Sequence, residues 1–188
     1  MKKQMTQNQK LFTLPAMAMM ALFAAITCIL APLSISIGPV PISFTNLAIY
    51  FSLYLLGWKE GTITYCVYLL IGLIGLPVFS GFTGGVGKLA GPTGGYLIGF
   101  IPMSMICGFF IEKFHKKIYL CVIGMILGTM VAYTFGTIWF CYSTGTGVVP
   151  ALGLCVFPVL PGDLVKIVLT GIAGPFVAGQ IKKAVPAA

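Results

Sequence analysis

Charge is what this sequence has least of. Its 188 residues include no arginine, three acids and a single histidine, so charged side chains make up 7% of the chain, against about 25% in a soluble domain. That scarcity excludes an ordinary soluble domain. Together with 59% hydrophobic residues and a mean hydropathy of +1.05 it marks an integral membrane protein. The acids Glu60, Glu112 and Asp163 lie far apart. With no paired carboxylates, no Ser-His-Asp set and no metal-ligand cluster, catalysis has almost no candidates, and neither metal nor cofactor is expected. Cys28, Cys66, Cys107, Cys121, Cys141 and Cys155 fall within apolar runs and form no C-x-x-C pair. A disulfide or metal framework would need such clustering, so these thiols are expected to pack as small hydrophobes. The net charge of +8 rests on eleven lysines. In a soluble protein it would suggest nucleic acid; here the lysines separate apolar spans and report orientation in a bilayer.

The length allows about six spans of roughly 20 residues and no further soluble domain. The predicted architecture is therefore an all-α bundle of six transmembrane helices, one membrane domain over 1–188. Its N-terminal segment, 1–13, lies in the cytoplasm. Because the first apolar run continues to Ala31 without a small-x-small site, it is expected to be a retained helix, not a cleaved signal. The helices are placed at 14–30, 43–57, 60–76, 94–111, 118–141 and 163–181. The second and third must be a hairpin, since about 35 continuous helical residues would reach about 50 Å at 1.5 Å per residue. Glu112–Lys117 is read as a charged turn with His115 as a solvated loop residue. Cytoplasmic termini would put nine lysines (2, 3, 10, 59, 113, 116, 117, 182 and 183) inside and only Lys88 and Lys166 outside, a strong positive-inside pattern.

In helix 1, Ala18, Ala21 and Ala25 stand at i, i+3 and i+7, a small-residue stripe suited to close helix approach, against either the protein's own bundle or a partner subunit. Gly95-x-x-x-Gly99 and Gly124-x-x-x-Gly128 are packing pairs of the same kind. The stretch Pro77–Tyr96 holds seven glycines, two prolines and one charge, which argues against a regular helix. It reads as a loop folded over a small ligand at the outer mouth, the face shared by Ser34–Pro41 and the 142–161 connection. Near that face the second helix opens with Ser43, Thr45 and Asn46, and Phe79, Phe82, Tyr96, Trp139 and Tyr142 could form an apolar wall or simply an interfacial belt.

Asp163 and Lys166 are the only ionisable pair beyond the cytoplasmic clusters. Charges within a membrane helix usually face a cavity or one another. One reading is a helix start, with Asp163 satisfying orphan N–H groups. The other is ligand contact, favoured because a first-turn lysine opposes the helix dipole and so wants a further acceptor. Two nucleotide motifs fail. Around Gly87-Lys88 the first Walker glycine is Phe82 and the Ser/Thr is Leu89, while Gly85-x-Gly87-x-x-Ala90 follows no strand.

The runs Gly75-Leu-Pro-Val-Phe79, Gly84-Gly85-x-Gly87 and Gly91-Pro-Thr-Gly-Gly-Tyr-Leu97, with Pro39-Val-Pro-Ile42 and Pro161-Gly-Asp-Leu-x-Lys166, resemble the BioY family, the biotin-binding S components of energy-coupling-factor (ECF) transporters. The resemblance runs from about Ala21 into the last helix. It implies a six-helix S-component bundle in a bacterial cell membrane with both termini inside. It also implies high-affinity biotin capture at the outer face, a transmembrane coupling subunit and two ATPase subunits as partners, and no ATPase site in the chain itself. Carried over by position, Asp163 and Lys166 become the polar ligand contacts. The Gly-rich loop (Phe79, Phe82, Thr83, Gly84, Gly85, Gly91, Tyr96) and the first outer loop cover the ligand, with Tyr142 and Asn46 beside it. The stripe at Ala18, Ala21 and Ala25 would meet the coupling subunit. Ser43-Phe-Thr-Asn46 departs from the family's usual Thr and Gln. The alternatives are an S component for another vitamin, or a self-sufficient facilitator; the latter needs a polar path through the bundle, and no polar stripe is read in helices 1–5.

Overall fold

A computed structural model describes residues 13–35, 38–114 and 117–184. His115, Lys116 and the N-terminal lysines 2, 3 and 10 lie outside the described residues. The chain is mostly helical. In order come α1 (Leu14–Leu30), an antiparallel hairpin of β1 (Ser34–Ile35) and β2 (Ile42–Ser43), α2 (Thr45–Leu56), α3 (Trp58–Leu73), α4 (Val86–Ala90), α5 (Gly94–Phe114), α6 (Ile118–Thr144), α7 (Val148–Cys155) and α8 (Leu160–Ala184). By length and composition, three described stretches can cross a membrane: Gly94–Phe114, Ile118–Thr144 and Leu160–Ile181. Helices α1 and α2 are shorter and apolar.

Several boundaries differ from the sequence reading, each for a local reason. The second helix starts at Thr45, not 43, because Ile42 and Ser43 pair with Ile35 and Ser34 across the hairpin. Gly57, at φ +93°, separates α2 from α3, so the third helix begins at Trp58, and it ends at Leu73 shortly before Gly75 at φ +103°. Helix α5 absorbs Glu112 and Lys113, residues whose charge suggests a turn. Helices α6 and α8 run to Thr144 and Ala184. Two short helices were not foreseen. Helix α4 is a single turn inside the Gly-rich stretch. Helix α7 tolerates Pro150 because a first-turn N–H has no intrahelical partner to lose.

The α5–α6 hairpin is built on its glycines. A Cβ on Gly95 would come within 2.2 Å of Trp139 Cβ, and one on Gly99 would meet Ala132; farther along the hairpin, Gly124 and Gly128 abut Phe110 and Cys107. Close backbone approach replaces the hydrophobic drive that lipid cannot supply. In α1 the buried residues are Phe23, Ala24 and Thr27, so Ala18, Ala21 and Ala25 lie on the exposed side. The main core joins α1–α3, α5, α6 and α8 around Tyr50, Tyr65, Tyr68 and Met125. A second, smaller core (Val40, Tyr96, Phe140, Ala151, Cys155, Val159) sits under the hairpin, where α7 fills its base.

Candidate functional site

Residues from the β1–β2 hairpin, α2, α6 and α8 converge on one buried ion pair. Helix α8 begins three residues earlier than expected, so the Asp163 N–H bonds Val159 O within the helix at 3.0 Å. The carboxylate caps nothing, and the helix-start reading is set aside. Lys166 correspondingly lies in the second turn, where the dipole's effect has faded. Both residues are buried, 5% and 7% exposed. Lys166 Nζ donates to Asp163 Oδ1 at 3.0 Å, to the Ser43 carbonyl at 2.5 Å and to Asn46 Oδ1 at 3.1 Å. The Tyr133 hydroxyl donates to Asp163 Oδ2 at 2.7 Å, and the Phe44 ring lies 5.8 Å from the ammonium.

Desolvating two ions costs several kcal/mol each, recovered only with good geometry and further hydrogen bonds. Here all three ammonium N–H groups have acceptors. The carboxylate accepts one described hydrogen bond on each oxygen and offers about four lone-pair sites, so acceptor capacity remains where Asp163 lines a cleft. The other walls come from Val40, Pro41 and Ser43 of the hairpin region, Thr45 and Asn46 of α2, Tyr96, Leu97 and Phe100 of α5, Tyr133, and Val159. The cleft is narrow, with a cavity volume of about 50 Å³, room for a few waters at about 10–15 Å³ each. A larger ligand enters only if the walls part.

Of the residues expected around the ligand, Asp163, Asn46 and Tyr96 line this cleft and Lys166 lies behind it. Besides Tyr96, the Gly-rich stretch contributes Ser80 and Thr93, which were not foreseen. Phe79 is a core residue, fully buried; its ring seats on bare Gly72, where a Cβ would come within 2.1 Å, and meets Tyr68 edge-on at 5.7 Å. Phe82 points away at 67% exposure, and Tyr142 is 85% exposed at the end of α6. Thr83 pairs its backbone with Phe79 and its hydroxyl with Ser80 O. Gly84 presses on the Leu76 carbonyl and Gly85 donates to Gly72 O at 2.7 Å, while Gly91 O accepts from Trp139 Nε1 at 3.0 Å. These glycines hold the loop's shape without lining the cleft. Beside them, burial pushes the Lys88 amine below the usual lysine range.

Tyr133 was missed, although a signal for it exists. Thr129, Tyr133 and Thr137 recur at four-residue spacing along α6 and reach Tyr50, Asp163 and Tyr96 respectively. The expectation of no polar stripe in helices 1–5 is corrected accordingly. The stripe's hydroxyls bond side chains of other helices, and Thr129 also donates to Met125 O within α6 at 2.7 Å.

Known proteins share this architecture. A crystal structure of the S-component for biotin from an ECF-type ABC transporter superposes with a TM-score of 0.81 at 31% identity, covering 92% of this chain and 94% of that one. Biotin transporter BioY2 of Lactococcus lactis subsp. cremoris is 35% identical over 168 residues, 89% of this chain and 91% of its own. Biotin transporter BioY of Thermotoga maritima is 35% identical over 167 residues, 89% and 88% of the two chains. The BioY family model matches residues 1–186, and the chain belongs to the BioY family.

Proposed function

We propose that this protein captures biotin at the outer face of a bacterial cell membrane and works as the S component of an ECF transporter. In this reading it crosses the bilayer six times with both termini in the cytoplasm. A transmembrane coupling subunit and two ATPases supply the driving force. The observation that carries the reading is the buried Asp163–Lys166 pair, assembled from four separate parts of the chain at the wall of a cleft. A carboxylate with spare acceptor capacity suits the N–H groups of a cyclic urea. Lys166 holds Asp163 and Asn46 in register and meets a ligand oxygen by exchanging one of its neutral acceptors. The apolar bicycle packs on Tyr96, Leu97, Phe100 and Val159, in place of the exposed Phe82 and Tyr142 and the core residue Phe79. Parting of the walls on entry and closure behind the ligand exclude water, which strengthens each polar contact.

Labelled biotin bound to the purified protein, challenged with unlabelled biotin, riboflavin, thiamine and folate, tests this. Displacement by biotin alone is expected. Equal displacement by another vitamin would assign a different S component, and uptake by this chain alone in liposomes would assign a facilitator.

The exposed stripe on α1 supports the partner role, because small residues there let another helix come close. Ala21→Leu fills that stripe and touches no cleft residue. Biotin affinity should stay within about twofold, while uptake with the coupling module falls about tenfold or more, as expected when a bulky group blocks close helix approach. Equal loss of binding and uptake would count against the stripe as a docking face.

A further inference from the structure

The β1–β2 hairpin carries a hydroxyl that the fold does not use. Ser34 Oγ is buried and has no hydrogen-bond partner among the described residues. Buried polar groups are nearly always paired, and an exception in a native structure asks for a reason. Strand geometry fixes the direction of this side chain. Its neighbour Ile35 is 62% exposed, so Ser34 faces the opposite, inner side. Its cross-strand partner is Ser43, and directly opposed residues of an antiparallel pair share a face. Ser43 lines the cleft, and its carbonyl accepts from Lys166. Ser34 therefore stands one strand spacing, about 4.7–4.9 Å, from a residue of the cleft wall.

Next to the ion pair the donors are already engaged, while Asn46, with its Nδ2 donor, Ser80 and Thr93 line the cleft as well. The Lys166 N–H groups face Ser43 O, Asn46 Oδ1 and Asp163 Oδ1, so Lys166 turns one N–H to a ligand oxygen only by leaving a neutral acceptor. The single O–H of Tyr133 is on Asp163, and the Ser43 and Thr45 hydroxyls bond each other at 2.9 Å. Ser34 keeps an unspent O–H beside them. A cyclic urea carries its C=O and N–H groups on one carbon, so a site that accepts its N–H at Asp163 needs a donor nearby for the adjacent oxygen. We propose that the Ser34 hydroxyl donates to the ureido carbonyl of the captured ligand, an assignment that rests on the biotin reading above.

Ser34→Ala in the full-length protein tests it through two measurements expected to move in opposite directions. Removing an unsatisfied buried hydroxyl should leave the ligand-free melting temperature unchanged or raise it, while biotin affinity falls about five- to tenfold, the worth of one hydrogen bond. A purely structural hydroxyl would lower the melting temperature and leave affinity alone. Ser34→Cys, of similar volume but a weaker donor, should fall between wild type and Ser34→Ala. Biotin amide, altered only at the tail, should lose as much as biotin in Ser34→Ala; a thiourea analogue, whose sulfur accepts poorly, should lose little further. Unchanged biotin affinity in Ser34→Ala, or an equal loss with the thiourea analogue, overturns the assignment to the ureido oxygen while leaving biotin capture intact. Failure of the wild type to bind biotin overturns the underlying reading instead.

Discussion

Asp163→Asn should reduce biotin binding at least about a hundredfold and lower thermal stability at the same time. The substitution removes the acceptor proposed for the ureido N–H groups, and it leaves the Lys166 ammonium buried at 7% exposure without its counter-ion. Breaking a buried pair from one side costs about 3–5 kcal/mol, so a loss of binding alone could reflect damage to the fold. The double replacement Asp163→Leu with Lys166→Met separates the two effects. Exchanging a buried ion pair for apolar groups of similar volume is often neutral or stabilising by about 1–4 kcal/mol. The double variant should therefore melt near or above the wild type and still fail to bind. Titration with labelled biotin, paired with thermal melts, reads both quantities. Binding within about tenfold of wild type in a well-folded double variant, less than 1.4 kcal/mol, would remove the pair from the ligand site.

That pair was legible in the sequence because charge is so scarce. Two ionisable residues three apart in an otherwise apolar span have few structural explanations, and the spacing places them on one helix face. The glycine pairs of α5 and α6 were legible for a related reason, since lipid-embedded helices need small residues to approach. Partners supplied by other elements were harder to read. Asn46 and the Ser43 carbonyl reach Lys166 only because the hairpin turns the chain back across α8. Tyr133 looks like any span tyrosine until the four-residue spacing with Thr129 and Thr137 is weighed. Among the aromatics of the Gly-rich stretch Tyr96 lines the cleft, but Phe79 and Phe82 do not, because one-dimensional proximity says nothing about a receiving surface. Gly72 offers a bare backbone for the Phe79 ring, whereas Phe82, at φ +57°, turns outward. Helix α7, only eight residues long, carries too few turns for a periodic signal, yet it packs Ala151 and Cys155 beneath the cleft.

The seven glycines between Pro77 and Tyr96 are not equivalent, and Gly94→Ala should be the most damaging small change among them. A Cβ at this position would lie 1.6 Å from the Leu89 carbonyl oxygen and 2.5 Å from its carbon. Both atoms are backbone, so no side-chain rotation relieves the clash; the turn between α4 and α5 must move. Gly94 opens α5, whose next turns carry Tyr96, Leu97 and Phe100 into the cleft, and Thr93 precedes it. A shift there displaces four lining residues together. Forced overpacking of a rigid site typically costs about 1–3 kcal/mol, and a backbone obstacle places this case at the upper end. The expected result is a marked fall in melting temperature with faster biotin release. Gly87→Ala is the internal control: nothing lies within 4 Å of its Cβ and its φ is not positive. It sits within the single turn of α4, where alanine is favoured over glycine by about 1 kcal/mol, so it should be neutral or stabilising with unchanged affinity. Equal tolerance of both substitutions would mean that the turn is not held against Leu89, and the seating of α5 on the cleft would need another cause.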